Sequence, residues 1–196
     1  VSSNVDTGAV TVDLAYGEQA DCVYTNGELP PATLTVVKDD VPATWDPLFP
    51  FEVQGVGLVD PGQPGNDSFD LGLGDATSYT VRPAAAGDTY TVTEGSQPAP
   101  PAGDSGFALT EIECVLASDP QNPVLGDTGT GAVDVLLIPG DSAVCTYVNQ
   151  QKPRLTVAKT VINPDDPADD TEFSFTPSGA LGGTDFALGN NQTEVF

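Results

Sequence analysis

Histidine is absent from this 196-residue chain, and methionine is absent too. Without histidine there is no Ser–His pair, no imidazole base and no Cys/His metal cluster, and no phosphate-binding loop is present either. A turnover enzyme is therefore not expected. Methionine is missing even at residue 1, so the start reads as a processed or excerpted end. Basic residues are scarce, five against 29 acidic ones, for a formal net charge of −24. Nucleic acid is excluded as an expected partner, because binding it requires a basic surface to neutralise phosphates. No apolar run approaches the ~18 residues of a membrane span. No signal peptide is visible, as in a chain from which one has been removed. No stretch has convincing helical periodicity. Cysteine occurs three times, at 22, 114 and 145, and an odd count leaves one unpaired within this stretch.

What is present points to β structure. Of the acids, 21 are aspartate and 8 glutamate, and with 21 glycines and 18 prolines they favour turns over helices. The hydrophobic content, 39%, is ordinary and sufficient for a core. Short runs rich in Val, Thr, Phe and Tyr alternate with Gly, Pro and Asp clusters. LTVVK (34–38), FPFEV, SFDLGL, SYTVRP, TYTVTE, ALTEIECVL, AVDVLLI and AVCTYVN are the strand candidates. At least seven strands in about 115 residues predict a sandwich.

The sequence also repeats itself. GAVTVDLAYGEQADCVYTN (8–26) aligns on GAVDVLLIPGDSAVCTYVN (131–149). LTVVK matches LTVAK (155–159), FPFEVQG (49–55) matches FSFTPSG (173–179), and FDLGLGDATSYTV (69–81) loosely matches FALGNNQTEVF (186–196). The two LTV phrases start 121 residues apart, at 34 and 155. Residues 34–149 thus read as one complete unit. Residues 1–33 read as the end of a preceding unit plus a linker, and 150–196 as a linker plus the beginning of a following one. The chain is expected to be an excerpt of a tandem array built by stacking neighbours. The short, proline-containing connectors PPAT (30–33) and QQKPR (150–154) suggest a semi-rigid rod.

Two of the three lysines, Lys38 and Lys159, stand at the fifth position of the repeated phrase. Strand side chains alternate between faces. Lys38 therefore shares the probable core face with Leu34 and Val36, and Lys159 shares one with Leu155 and Val157. By the same alternation Glu94 lies with Tyr90 and Val92, and Asn149 with Cys145 and Tyr147. Burial lowers a lysine pKa and raises that of a glutamate. A neutral amine is a nucleophile, and a protonated carboxyl can donate to a carboxamide. Held together, Lys38, Glu94 and Asn149 could form a Lys–Asn amide with loss of ammonia, Glu94 carrying the protons and proximity supplying much of the rate. The simpler alternative is a solvated strand-end lysine paired with Asp39 or Asp40.

At these residues the sequence resembles a family. YTVTEGSQPAP resembles the glutamate motif, LTVVK the first strand and CTYVN the last strand of Cna-B-type and pilin domains of bacterial surface proteins. The order LTVxK, FxFxxxG, YTVTE, LTxIxC, CTxxN is similar to prealbumin-like (SpaA-like) repeats, across the whole unit and both flanks. The resemblance implies an all-β fold of tandem transthyretin-like (Ig-like) β-sandwiches and a role in stalks, pili or adhesins. It implies an isopeptide bond between Lys38 and Asn149 promoted by Glu94. Lys159 and Asn26 would belong to equivalent bonds with members outside this chain.

Cys114 and Cys145 lie in strand-like runs of one unit and are the natural disulfide pair, with two reduced buried cysteines as the alternative. Cys22 is the repeat equivalent of Cys145. A disulfide implies an oxidising, extracellular setting. In NPDDPADDTE (163–172), Asp165, Asp166, Asp169 and Asp170 could supply oxygens to calcium. Their spacing does not match an EF-hand loop, and a solvated acidic surface is the favoured reading. NDS (66–68) and NQT (191–193) fit the glycosylation sequon. LPPAT (29–33) lacks the full pattern of a sortase signal and sits mid-chain.

The function expected first is structural, a stapled sandwich repeated along an extracellular stalk, fibre or filament, with neighbouring repeats and copies of itself as partners. The alternative is an adhesin module that binds a glycan or a cell-surface protein through loops, with Trp45 and the 97–106 loop as candidates. Exposed edge strands pairing between chains would make a homopolymeric fibre. The negative charge would keep an array soluble and extended, and divalent cations could bridge neighbouring rods.

Overall fold

The computed structural model describes residues 2–4, 9–23, 25, 27–39, 41–58, 66–162, 171–178 and 185–195. Every regular element among them is a strand. Nine strands between residues 32 and 151 form two sheets. One sheet has the order β10 (Ala132–Leu137), β7 (Asp88–Glu94), β4 (Phe49–Gln54), β5 (Asn66–Leu71). The other has the order β6 (Ala76–Val81), β3 (Ala32–Lys38), β11 (Ser142–Gln151), β8 (Phe107–Leu116), β9 (Asp119–Leu125). The sheets face each other across one core, so the expected sandwich is present.

Alternation builds that core. In β3 Ala32, Leu34, Val36 and Lys38 are buried, in β7 Tyr90, Val92 and Glu94, and in β11 Ala143, Cys145, Tyr147 and Asn149. Aromatic rings bridge the layers. Phe51 of β4 meets Tyr147 of β11 edge-on at 5.0 Å, and Phe69 of β5 lies 5.7 Å from Tyr79 of β6. Such contacts add roughly 0.5–1.5 kcal/mol each beyond the area they bury.

All pairings in the sandwich are antiparallel except one. β3 and β11, the first and last strands of the unit, run side by side in parallel, from Thr33 beside Ser142 to Lys38 beside Tyr147. On its other edge β11 pairs with β8, which sets Cys145 directly opposite Cys114. These two cysteines form a disulfide, with Cα atoms 3.9 Å apart. The bond closes a separation of 31 residues. In the chain-entropy account that stabilises the fold by roughly 3–4 kcal/mol.

β9 is the strand the sequence pattern misses. Its run DPQNPVL holds two prolines and is almost wholly exposed. Proline removes a ladder donor and is tolerated at a sheet edge, which is where β9 lies.

Outside the sandwich, β1 (Ser2–Asn4) pairs with β2 (Ala9–Thr11). The described residues around Cys22 form no strand, and Cys22 is an exposed free thiol. At the other end β12 (Thr156–Lys159) pairs with β15 (Gln192–Val195), and β13 (Phe173–Phe175) with β14 (Phe186–Leu188). This repeats the β3–β6 and β4–β5 pairings of the sandwich. Details recur as well. The Gly74 N–H donates to the Lys38 carbonyl at 2.9 Å, and the Asn191 N–H to the Lys159 carbonyl at 2.8 Å. Phe51 stacks on Phe69 as Phe175 stacks on Phe186.

Candidate functional site

Lys38, Glu94 and Asn149 stand at or near the ends of β3, β7 and β11, at one end of the sandwich. All three are buried, with exposures of 0%, 3% and 0%. Each is the last inward-facing residue of an alternating run of apolar side chains, so the periodicity that fills the core also carries the polar group inside. A buried ionisable group is costly unless it has partners, and each of these has some.

Lys38 Nζ donates to the Tyr147 carbonyl at 2.8 Å and sits 4.6 Å from the centre of the Phe49 ring. No carboxylate among the described residues comes within salt-bridge distance of it. Burial pulls its amine down to about 8, against the opposing fields of Glu94 and Asp39. The strand-end surface lysine is therefore not what the fold contains. Asp40, the other partner considered for it, lies outside the described residues.

Glu94 is held from both directions. Its backbone N–H donates to the Gly131 carbonyl at 2.9 Å. Gly131 has φ +74°, and a Cβ there would meet the Glu94 carbonyl oxygen at 2.3 Å, so only glycine lets the 127–131 turn approach this closely. The side-chain Oε1 accepts from Asn149 Nδ2 and from Gln97 Nε2, both at 2.6 Å. Asn149 Nδ2 also donates to Gln97 Oε1 at 2.6 Å. Glu94 Oε2 and Asn149 Oδ1 are buried and have no hydrogen-bond partner among the described residues. Two such orphans in contacting residues are unusual, since buried polar atoms are nearly always satisfied.

Asn149 keeps the inward alternation of β11 after Cys145 and Tyr147, and the irregularity lies on the strand beside it, β8. Opposite Val148 is Glu111, but opposite Asn149 is Leu109, so the register slips past Thr110. The Thr110 hydroxyl donates to the Val148 carbonyl at 3.0 Å. Bulges commonly re-aim side chains beside functional positions. Neither this bulge nor Gln97 nor the Tyr147 carbonyl follows from the sequence pattern. The one cue to Gln97 is its place three residues past Glu94, just beyond the strand end.

Lys159 repeats part of the arrangement. Its Nζ sits 4.3 Å from the Phe173 ring, as Lys38 sits over Phe49, and donates to the Thr160 carbonyl at 3.1 Å. Asn26, and the calcium candidates Asp165, Asp166, Asp169 and Asp170, lie outside the described residues. Among the described residues no group of three or more acids or cysteines is arranged to hold a metal. No helix among them is long and apolar enough to cross a membrane.

Trp45 and the 97–106 loop are brought together, but against each other. Trp45 Nε1 donates to the Ser105 carbonyl at 3.2 Å, and its ring meets Phe107 edge-on. The Thr44 hydroxyl donates to Asp104 at 2.8 Å. Ser105 and Gly106 also hold the segment leaving β11, through the Lys152 carbonyl and N–H respectively. Trp45, Asp104, Ser105 and Gly106 thus fasten these loops and the strand exit.

No family model matches the chain, and no curated protein matches it. Among solved structures, the pilus-presented adhesin Spy0125 (Cpa) is 17% identical, with a TM-score of 0.39 over 63% of this chain and 28% of that one. An adhesin from Mobiluncus mulieris, described as containing intramolecular disulfide, isopeptide and ester cross-links, is 16% identical, with a TM-score of 0.34 over 60% of this chain and 41% of that one. The major pilin of Streptococcus pyogenes is 14% identical, with a TM-score of 0.35 over 62% of this chain and 48% of that one. The matched region spans less than half the length of each of these proteins.

Proposed function

We propose that this chain is a structural repeat protein of an extracellular stalk or fibre, its sandwich stapled by the Cys114–Cys145 disulfide and by an amide bond between Lys38 and Asn149. The observation that carries the reading is the buried contact between the Asn149 carboxamide and the Glu94 carboxylate, with a desolvated amine that feels the Glu94 charge at the end of the neighbouring strand. In the reaction, the Lys38 ammonium passes a proton to Glu94 and the neutral amine attacks Asn149 Cγ. Glu94 returns that proton to Nδ2, the Cγ–Nδ2 bond breaks and ammonia leaves, and Glu94 takes up the second proton that the Lys38 nitrogen sheds as it becomes a neutral amide. Atoms and charge balance without any cofactor, and the step occurs once per unit. The orphaned Glu94 Oε2 suits this chemistry, since it is the carboxylate oxygen left free to take up the Lys38 proton.

Intact-mass measurement of the folded chain should show a loss of about 17 Da beyond the disulfide, with a cross-linked peptide joining Lys38 to Asn149. A free Lys38 in the peptide map would sink the bond.

A pH titration adds an independent check. Asn149→Ala leaves the amine free. Its folded value near 8 lies below the ordinary 10.5, so between those limits the unfolded chain binds more protons than the native one. Stability of this variant should therefore rise with pH, by roughly 2–3 kcal/mol between pH 7 and 10. Above pH 10 the trend reverses, because burial raises the Tyr79, Tyr90 and Tyr147 hydroxyls and their ionisation then favours unfolding. The bonded parent has no amine to titrate, so urea unfolding should show no such rise. A parallel rise in both proteins would mean that the parent is unbonded.

A further inference from the structure

Three side chains form a closed ring of hydrogen bonds. Asn149 Nδ2 donates to Glu94 Oε1 and to Gln97 Oε1, and Gln97 Nε2 donates to the same Glu94 oxygen. Chemistry fixes the orientation of both amides. Glu94 Oε1 accepts from both amides, so each turns its NH2 group toward it, which leaves the Gln97 oxygen for the second Asn149 proton. Reversing either amide would set oxygen against oxygen. Gln97 lies just past the end of β7, half-buried. With Glu94, Leu109 and the 128–131 turn it lines an open cleft of about 450 Å³.

We propose that Gln97 is a positioning residue for bond formation. It locks the Asn149 carboxamide with its departing nitrogen toward the cleft and its carbonyl oxygen unengaged. This rests on the Lys38–Asn149 reading above. As the Lys38 Nζ–Cγ bond forms and the Cγ–Nδ2 bond breaks, the nitrogen that leaves is the one held by Gln97, and the cleft is its route to solvent. A carboxamide free to rotate would spend part of its time with that nitrogen elsewhere, and orientation is worth orders of magnitude in an intramolecular reaction.

The test uses the full chain made by timed cell-free synthesis, with intact mass read at intervals. Gln97→Ala removes the side chain. Gln97→Met keeps its bulk over the cleft but loses both hydrogen bonds. Both variants should slow the mass loss by at least about tenfold. A Gln97→Met chain that reacts at the parental rate would overturn the proposal, since Gln97 would then act only as a cover. A second readout does not depend on the reaction. In a Lys38→Met background no bond can form, and the Asn149 carboxamide protons can be followed by nitrogen-15 NMR. Adding Gln97→Met should speed their exchange by about tenfold, and unchanged exchange would overturn the ring itself. If the parent never loses mass while the Lys38→Met chain still protects those protons, the bond and the positioning role both fall and only the ring stands. That outcome is distinct from failure of Gln97 alone.

Discussion

Glu94→Ala is expected to fold with its disulfide intact and to keep its full mass, its Lys38 amine open to modification once the chain is unfolded. Asn149 would keep Gln97 as an acceptor, but the buried carboxylate that links the amine to Asn149 would be gone. Glu94→Gln is the sharper variant. It preserves shape and an acceptor oxygen for Asn149, yet cannot shuttle a proton. General acid–base assistance of this kind is worth about 10²–10⁴ in rate. Bond formation should therefore fall from the timescale of folding by on the order of a hundredfold or more in Glu94→Gln, and at least as far in Glu94→Ala. Timed intact mass is the measurement. A Glu94→Gln chain that loses ammonia at the parental rate would show that Glu94 only positions Asn149. Disulfide formation in the same samples reports folding separately, because Cys114 and Cys145 meet only when β8 and β11 are in register.

Much of this arrangement is legible in the sequence, because one physical rule serves two purposes. Strand alternation places Leu34 and Val36 in the core and, two residues on, forces Lys38 in after them; the same holds for Val92 with Glu94 and Tyr147 with Asn149. The scarcity of lysine then makes its recurrence at Lys159 stand out, and the fold places that residue over Phe173 as it places Lys38 over Phe49. What alternation cannot give is adjacency. The parallel pairing of β3 with β11 is a long-range choice of topology, over a separation of more than a hundred residues. The bulge at Thr110 and the glycine-permitted turn at Gly131 are local departures from periodicity, so a period-based reading passes over them. Gln97 belongs to a loop and follows no period. β9 escaped because its exposed, proline-bearing edge has no buried face to impose a pattern.

Pulling the unit apart by its two ends should give the largest physical difference between bonded and unbonded chains. β3 and β11 run in parallel, so a force drawing the start of β3 away from the end of β11 shears all their pairings at once. In the bonded chain the load reaches Lys38, crosses to Asn149 and leaves along β11, and everything between those positions is bypassed. Positions 38 and 149 are 111 residues apart. At roughly 3.3–3.6 Å per extended residue, the bypassed chain holds about 370–400 Å of length. Reduced Asn149→Ala should release nearly that much in single-molecule extension, and the oxidised variant less, because the disulfide withholds the 31 residues between its cysteines. The parent should release neither, at any force below that which breaks a covalent bond. If the parent lengthened as Asn149→Ala does, tension would be passing through hydrogen bonds alone and the stalk reading would lose its mechanical basis. The result also separates the two staples by role. A disulfide between neighbouring strands β8 and β11 guards a loop inside the unit, whereas a bond from first strand to last is the one that can carry load from one end of the unit to the other.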